Sequence, residues 1–306
     1  MKVLVATEKP FAAVAVDGIR KVVEEAGMTL ELLEKYTSKQ QLLEAVADAD
    51  ALIVRSDKVD TEVFDAARTL KIVVRAGAGY DNVDLAAATA HGVIVENTPG
   101  QNSNAVAELV FGMLVMAARN QYDGTSGSEL KEKTLGIHAF GQVGRNVARI
   151  AKGFGMTVSA LDPFCPDEAI TAAGVKPVHS VEQLYSENKV VSLHIPATTE
   201  TRGSVGFDLV SLMPSGGILV NTARKEVIDE PGLIRALEAR PDIRYVADVR
   251  PDAADEMTER FGKRVFFTPK KMGAQTSEAN INAGIAAARQ IVAYLREGDT
   301  KYQVNK

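Results

Sequence analysis

Cysteine is nearly absent from this chain: Cys165 is the one example among 306 residues. A single thiol excludes an internal disulfide and suits a reducing compartment, and Cys165 reads as a half-buried apolar filler. Dense blocks of positive charge are missing too. With 35 Lys and Arg against 40 Asp and Glu, the net charge is −5 and the pI is near 5.6. That balance argues against nucleic acid or an anionic membrane as a partner, so any bound anion must meet local basic residues. The N-terminus, MKVLVATEKP, has too short an apolar run for a signal peptide or an anchor, and a cytoplasmic location is expected. The four histidines, His91, His138, His179 and His194, lack metal-ligand spacing, so no metal is expected.

What is present is the composition of a globular protein, 46% hydrophobic and 25% charged. Short runs rich in β-branched residues recur as KVLVA, ALIVR, KIVVRA and VIVEN, each followed by helical spacing such as Ile19-Val22-Val23 or Phe64-Ala67-Leu70. The alternation resumes from Leu135 with LGIHAF, TVSALD, VVSLHI, ILVNTA, YVADV and VFFTP. This predicts an α/β chain of two doubly wound parallel-sheet units. Between them, Pro99-Gly100 breaks the chain, and Asn104 is placed to cap a helix running to about Arg119. Val106, Leu109, Val110, Phe111, Met113, Leu114, Val115 and Met116 cover every side of that helix, so burial on every side is expected. Either it lies between the units or it packs against a second copy, and a homodimer through 104–119 is the expectation. A last helix, SEANINAGIAAARQIVAYLREG, is long enough to return to the first unit.

The stretch GIHAFGQVGRNVARIAKGFGMTVSALDP has the order a dinucleotide site requires: strand, glycine loop, helix, strand, acid. Glycines let the backbone approach a pyrophosphate, whose charge rests on the helix N-terminus. Here G-x-G-x-x-G reads Ala139, Phe140, Gly141, Gln142, Val143, Gly144. The alanine is tolerable if its φ stays below zero. Asp162 ends the next strand, where a carboxylate can accept both ribose hydroxyls, and no basic residue follows before Lys176, so NAD is favoured over NADP. In the first unit, Arg55 and Arg75 each end a strand and Lys58 sits in the adjacent turn. These cations suit a phosphorylated substrate. Ala76, Gly77 and Ala78 are expected to present backbone N–H groups to a carboxylate, with Asn102, Ser103 and Asn104 also facing the substrate.

With LIVRS, VRAGAGYDNVDLAAAT, NTPGQNSNAVAELVFGMLVMAAR, SLHIPATTET, LVNTARKEVIDE and TPKKMGAQTSEA, the chain resembles the D-2-hydroxyacid dehydrogenase family along almost its whole length. The likeness is strongest to the phosphoglycerate-oxidising branch. It implies a Rossmann dinucleotide domain, 100–284, inserted in a discontinuous flavodoxin-like substrate domain, 1–99 and 285–306. It implies that Arg224 holds the substrate carboxylate and polarises the carbonyl, as a guanidinium facing a developing oxyanion would. It puts His194, Pro196, Thr222, Ala223 and Asp248 on the cofactor side. The implied reaction is NAD-dependent oxidation of 3-phospho-D-glycerate to 3-phosphooxypyruvate, the first step toward serine. Because the chain ends at Lys306, serine feedback through an appended regulatory domain is not expected.

The family pattern fails at one place. It calls for a histidine after Thr-Pro and a glutamate that orients it, but TPKKMGAQT offers Lys270 and Lys271, and Ala253 stands at the glutamate's position. The two absences agree, because an ammonium has no tautomer to fix. One lysine of the pair is therefore the expected acid/base. Counting from Thr268-Pro269 selects Lys270, and counting back from Gly273 selects Lys271, the preferred candidate. Partial burial, Arg224 and the neighbouring lysine are expected to favour its neutral form. Two other readings remain: a glyoxylate or hydroxypyruvate reductase, and a non-catalytic NAD-sensing protein of the corepressor kind.

Overall fold

Alternate residues along each short run bury on opposite faces of a sheet, which is why the strands read as unbroken apolar stretches. The computed structural model describes residues 1–305, which divide into two compact units, 1–102 with 275–305 and 103–274. In the first unit β1 (Lys2–Thr7), β2 (Thr29–Glu34), β3 (Ala51–Val54), β4 (Ile72–Arg75) and β5 (Ile94–Asn97) form a parallel sheet in the order β2-β1-β3-β4-β5. Val3, Val5, Ile53 and Val74 pack under the helices Ala13–Glu25 and Ser277–Glu297, while Leu4, Leu52, Val54 and Val73 pack on the other face with Leu42 and Phe64. Fully burying one such side chain contributes roughly 1.5–3 kcal/mol. The strand order reverses between β1 and β3, and Arg55 follows β3 at that switch point.

The second unit contains β6 (Thr134–His138), β7 (Thr157–Leu161), β8 (Lys176–Pro177), β9 (Val190–Leu193), β10 (Ile218–Asn221), β11 (Arg244–Ala247) and β12 (Val265–Phe267). They form a parallel sheet in the order β12-β11-β10-β9-β6-β7-β8. Its switch point lies between β6 and β9, where His138 pairs with Leu193 and the helix Gln142–Gly153 begins just beyond β6.

Several expectations are corrected here. The boundary at 284/285 would cut the helix Ser277–Glu297, and a continuous backbone ladder keeps that helix whole in the first unit. The helix expected through Leu70 stops at Ala66, because Ala67 turns to extended geometry. The apolar helix spans Ser103–Ala118 and packs within the second unit beside Gln142–Gly153 and over strands β10 and β11. It is not buried on every side: Asn104, Glu108 and Gly112 are exposed along one stripe, flanked by half-buried Leu109, Val115 and Met116. Asn104 lies inside the helix rather than capping it.

Candidate functional site

In the first unit the strand ends hold two guanidinium groups in fixed positions. Arg55 donates to Asn280 Oδ1 at 2.7 Å and to Lys9 O at 2.9 Å, and it lies 5.1 Å from the Phe11 ring centre. Its own amide reaches the buried Asp57 carboxylate at 3.2 Å, which also accepts from Tyr36 Oη and the Glu8 amide. Arg75 donates from Nε to Arg55 O at 2.9 Å. Gly77 has φ 151°, and a Cβ there would overlap Arg75 Nη1, so the missing side chain is the space that guanidinium fills. Burial lowers the pKa of both arginines, and Arg55 lowers that of Arg75 further. Among the described residues neither is in a salt bridge, which leaves two partly desolvated cations able to take an anion.

Other expected substrate contacts do not join them. Lys58 is exposed and paired with Asp60 at 3.5 Å. The amides of Ala76 and Gly77 are already used, by Val54 O and Arg75 O at 2.8 Å each, so they are not free for a carboxylate. Asn97 fixes the following Ala78 carbonyl at 2.6 Å. Asn102 is half-exposed at the end of the first unit. Ser103 Oγ accepts from Asn146, and Asn104 is held between Glu108 and Arg149, so both bind their own unit's helices.

In the second unit the strand–loop–helix is built as a phosphate cradle. Gly141 caps the helix Gln142–Gly153, is exposed with Gln142, and a Cβ on it would meet nothing. Gly144 is buried where a Cβ would overlap Ala139 O, and half-exposed Val143 lies between them. Ala139 departs from expectation. Its φ is 82°, a region that costs a residue with a side chain on the order of 1–3 kcal/mol. Asp162 accepts the Phe140 amide on Oδ2 at 2.8 Å and the Phe164 amide on Oδ1 at 2.9 Å. A cation also lies nearer than the sequence count allows: Arg145 comes from the preceding helix, donates to Cys165 Sγ at 3.2 Å and covers the Phe140 ring.

His194 closes the β9 end, with Nε2 at 3.0 Å from Ser192 Oγ. Burial, then His138, brings its pKa down to about 3, and burial brings His138 to about 4. Both rings are therefore neutral near pH 7. Pro196 is exposed and its carbonyl accepts from Thr201. Thr222 and Ala223 are buried after β10, with Thr222 Oγ1 lacking a hydrogen-bond partner among the described residues. Arg224 follows, exposed, and donates to Ala223 O at 3.0 Å. An open helix N-terminus, a buried hydroxyl without a partner and neutral rings fit a dinucleotide. His91 and His179 pair instead with Asp65 and Asp167.

The lysine loop hangs on Asp248. This carboxylate is 1% exposed, so it does not line the cofactor surface as expected. Its oxygens accept from Thr268 Oγ1 at 2.9 Å, Met272 N at 2.6 Å and Gly273 N at 2.8 Å. The fold thus braces both ends of the turn bearing Lys270 and Lys271. Both lysines are exposed, so the expected partial burial does not operate on them. At the missing glutamate's place, the Ala253 amide donates to Glu230 at 2.7 Å. The reading from sequence missed Asn280, Asp57 and the clamp at Asp162; Asn280 lies 225 residues from its partner Arg55.

Residues 110–269 match the NAD binding domain of the D-isomer specific 2-hydroxyacid dehydrogenases. The chain is 38% identical over 298 residues to D-3-phosphoglycerate dehydrogenase of Methanocaldococcus jannaschii, covering 90% of this chain and 55% of that one. It is 33% identical over 282 residues to hydroxypyruvate reductase of Thermotoga maritima, covering 86% and 90%. The crystal structure of NAD+-bound 3-phosphoglycerate dehydrogenase of Entamoeba histolytica is similar at TM-score 0.86 and 48% identity, over 100% of this chain and 99% of that one. The chain spans about half the length of the first curated dehydrogenases it matches.

Proposed function

The chain belongs to the D-isomer specific 2-hydroxyacid dehydrogenase family, and from that premise we propose that it oxidises 3-phospho-D-glycerate to 3-phosphooxypyruvate with NAD as acceptor. The observation that carries this reading is the Arg55–Arg75 pair, two half-buried guanidinium groups at neighbouring strand ends, neither in a salt bridge among the described residues. A phosphate dianion matches them in charge and in donor geometry. Bound NAD supplies the hydride acceptor. Arg224 takes the substrate carboxylate and opposes the charge that shifts on the C2 oxygen. One amine of the Lys270–Lys271 turn accepts the hydroxyl proton, on a loop held by Asp248.

A reductase of hydroxypyruvate is the second reading, favoured by the match to the Thermotoga maritima enzyme over 90% of its length. A non-catalytic NAD sensor is the third. Rates of NADH formation with phosphoglycerate and with unphosphorylated glycerate separate the three. A strong preference for the phosphorylated acid supports the proposal, the reverse preference supports the reductase, and no turnover with tight NADH binding supports the sensor. A place in serine biosynthesis follows from the first outcome. We also infer a homodimer through 104–119, supported by the half-buried Leu109, Val115 and Met116 beside the exposed stripe; sedimentation as a monomer at micromolar concentration would remove it.

A further inference from the structure

We propose that Asp162 is the positioning residue of the dinucleotide loop: its carboxylate holds the strained Ala139–Phe140 turn in the shape that receives a phosphate, besides any contact it makes with a ribose. The inference deepens the reading of this loop as the NAD site. Two bonds flank the strained residue. The Ala139 amide donates to Leu161 O at 2.9 Å, and the Phe140 amide donates to Asp162 Oδ2 at 2.8 Å. The second oxygen, Oδ1, takes the Phe164 amide at 2.9 Å. One carboxylate therefore ties the end of β6 to the end of β7. On the helix side the Ala139 carbonyl lies against Gly144, where a Cβ would not fit, so the turn is confined from behind as well.

A glycine at 139 would adopt φ 82° without help, whereas an alanine holds it only while its surroundings impose it. Each oxygen of Asp162 accepts one amide and keeps a further lone pair, enough for a ribose hydroxyl without releasing the turn. Loop shape and ribose recognition then share one side chain. Removing the carboxylate frees the alanine to relax, and the phosphate grip is lost with it. With glycine at 139 that dependence disappears.

The test compares wild type, Asp162→Ala, Ala139→Gly and the double variant. The probe is nicotinamide mononucleotide, which carries a phosphate but no adenosine ribose, with hydrogen exchange of the 138–146 amides read in the ligand-free protein. Asp162→Ala is expected to weaken the mononucleotide on the order of tenfold, the size of a bond to a charged acceptor, and to speed exchange at Phe140. The double variant is expected to bind within about twofold of Ala139→Gly, the non-additivity that a shared strain produces. Wild-type affinity and exchange in Asp162→Ala would overturn the proposal, leaving the carboxylate a ribose contact alone. An equal loss in both backgrounds would overturn it too. If Asp162→Ala does not fold, Asp162→Asn takes its place in the same comparison, offering one acceptor for two amides. Should even wild type bind neither the mononucleotide nor NADH, the reading of the site fails, while the exchange comparison still decides the clamp.

Discussion

Gly77→Ala places a methyl group where Arg75 Nη1 now lies, at a residue whose φ is 151°. Two effects separate. Backbone strain lowers stability by roughly 1–3 kcal/mol, which reads out in denaturation with no substrate present. If the proposed phosphate site is right, displacing the guanidinium removes one charge-assisted contact to the substrate phosphate, about 1.5–3 kcal/mol of binding. At 1.36 kcal/mol per decade, kcat/KM for phosphoglycerate should fall roughly ten- to hundredfold. Unphosphorylated glycerate, which has no phosphate to lose, should lose much less. The assay is NADH formation on both acids, with Arg75→Met as the control that removes the charge and leaves Gly77 intact. If both substrates fall by the same factor in Gly77→Ala, the loop rather than the cation sets the effect. If Arg75→Met leaves the ratio of the two substrates unchanged, the phosphate is not bound there and the argument from the arginine pair fails.

Lys270→Met and Lys271→Met test the acid/base assignment: one should cut turnover on the order of a hundredfold or more, and near-normal rates for both would remove lysine from the chemistry. Asp248→Ala strips the Met272 and Gly273 amides of their acceptor, so stability should fall by about 2–4 kcal/mol and turnover with it; an unchanged denaturation midpoint would show that the lysine turn holds itself. Glu96, 1% exposed, has its pKa raised by burial to about 7. The folded state therefore binds this proton more tightly than the unfolded chain, and stability falls as pH rises from the unfolded carboxyl range through about 7. Glu96→Gln should be nearly neutral at about pH 4 and stabilising by up to about 3 kcal/mol at about pH 8, and a pH-independent difference in urea unfolding would refute that.

The sheets were readable because parallel strands covered on both faces are runs of Val, Ile and Leu. The two strands missing from the sequence reading, β2 and β8, each lie at one edge of their sheet. In β2 only Leu30 is buried, and β8 is two residues ending in a proline, so neither carries the apolar run that marks an interior strand. The glycine loop was found by its spacing, yet the sign of φ at Ala139 was not, because it is set by contacts with Leu161 and Asp162 that spacing does not encode. Likewise the arginines could be picked by their place at strand ends, whereas Asn280 and the buried Asp248 act through contacts made only once distant segments meet. Lys58 and Asn104 had the right chemistry and position in the chain, but nearer partners claim them.

The Ser277–Glu297 helix that covers one side of the first sheet has a consequence for birth on the ribosome. Strands β1 to β5 emerge early with Ile53 and Val74 covered on that side only by the helix Ala13–Glu25, and the rest of their cover follows only after residues 103–274 have been made. At ordinary elongation rates that interval lasts roughly ten to thirty seconds. The contiguous middle segment can finish folding meanwhile, while the leading one waits as a half-dressed sheet, the stage at which a chaperone has most to shield.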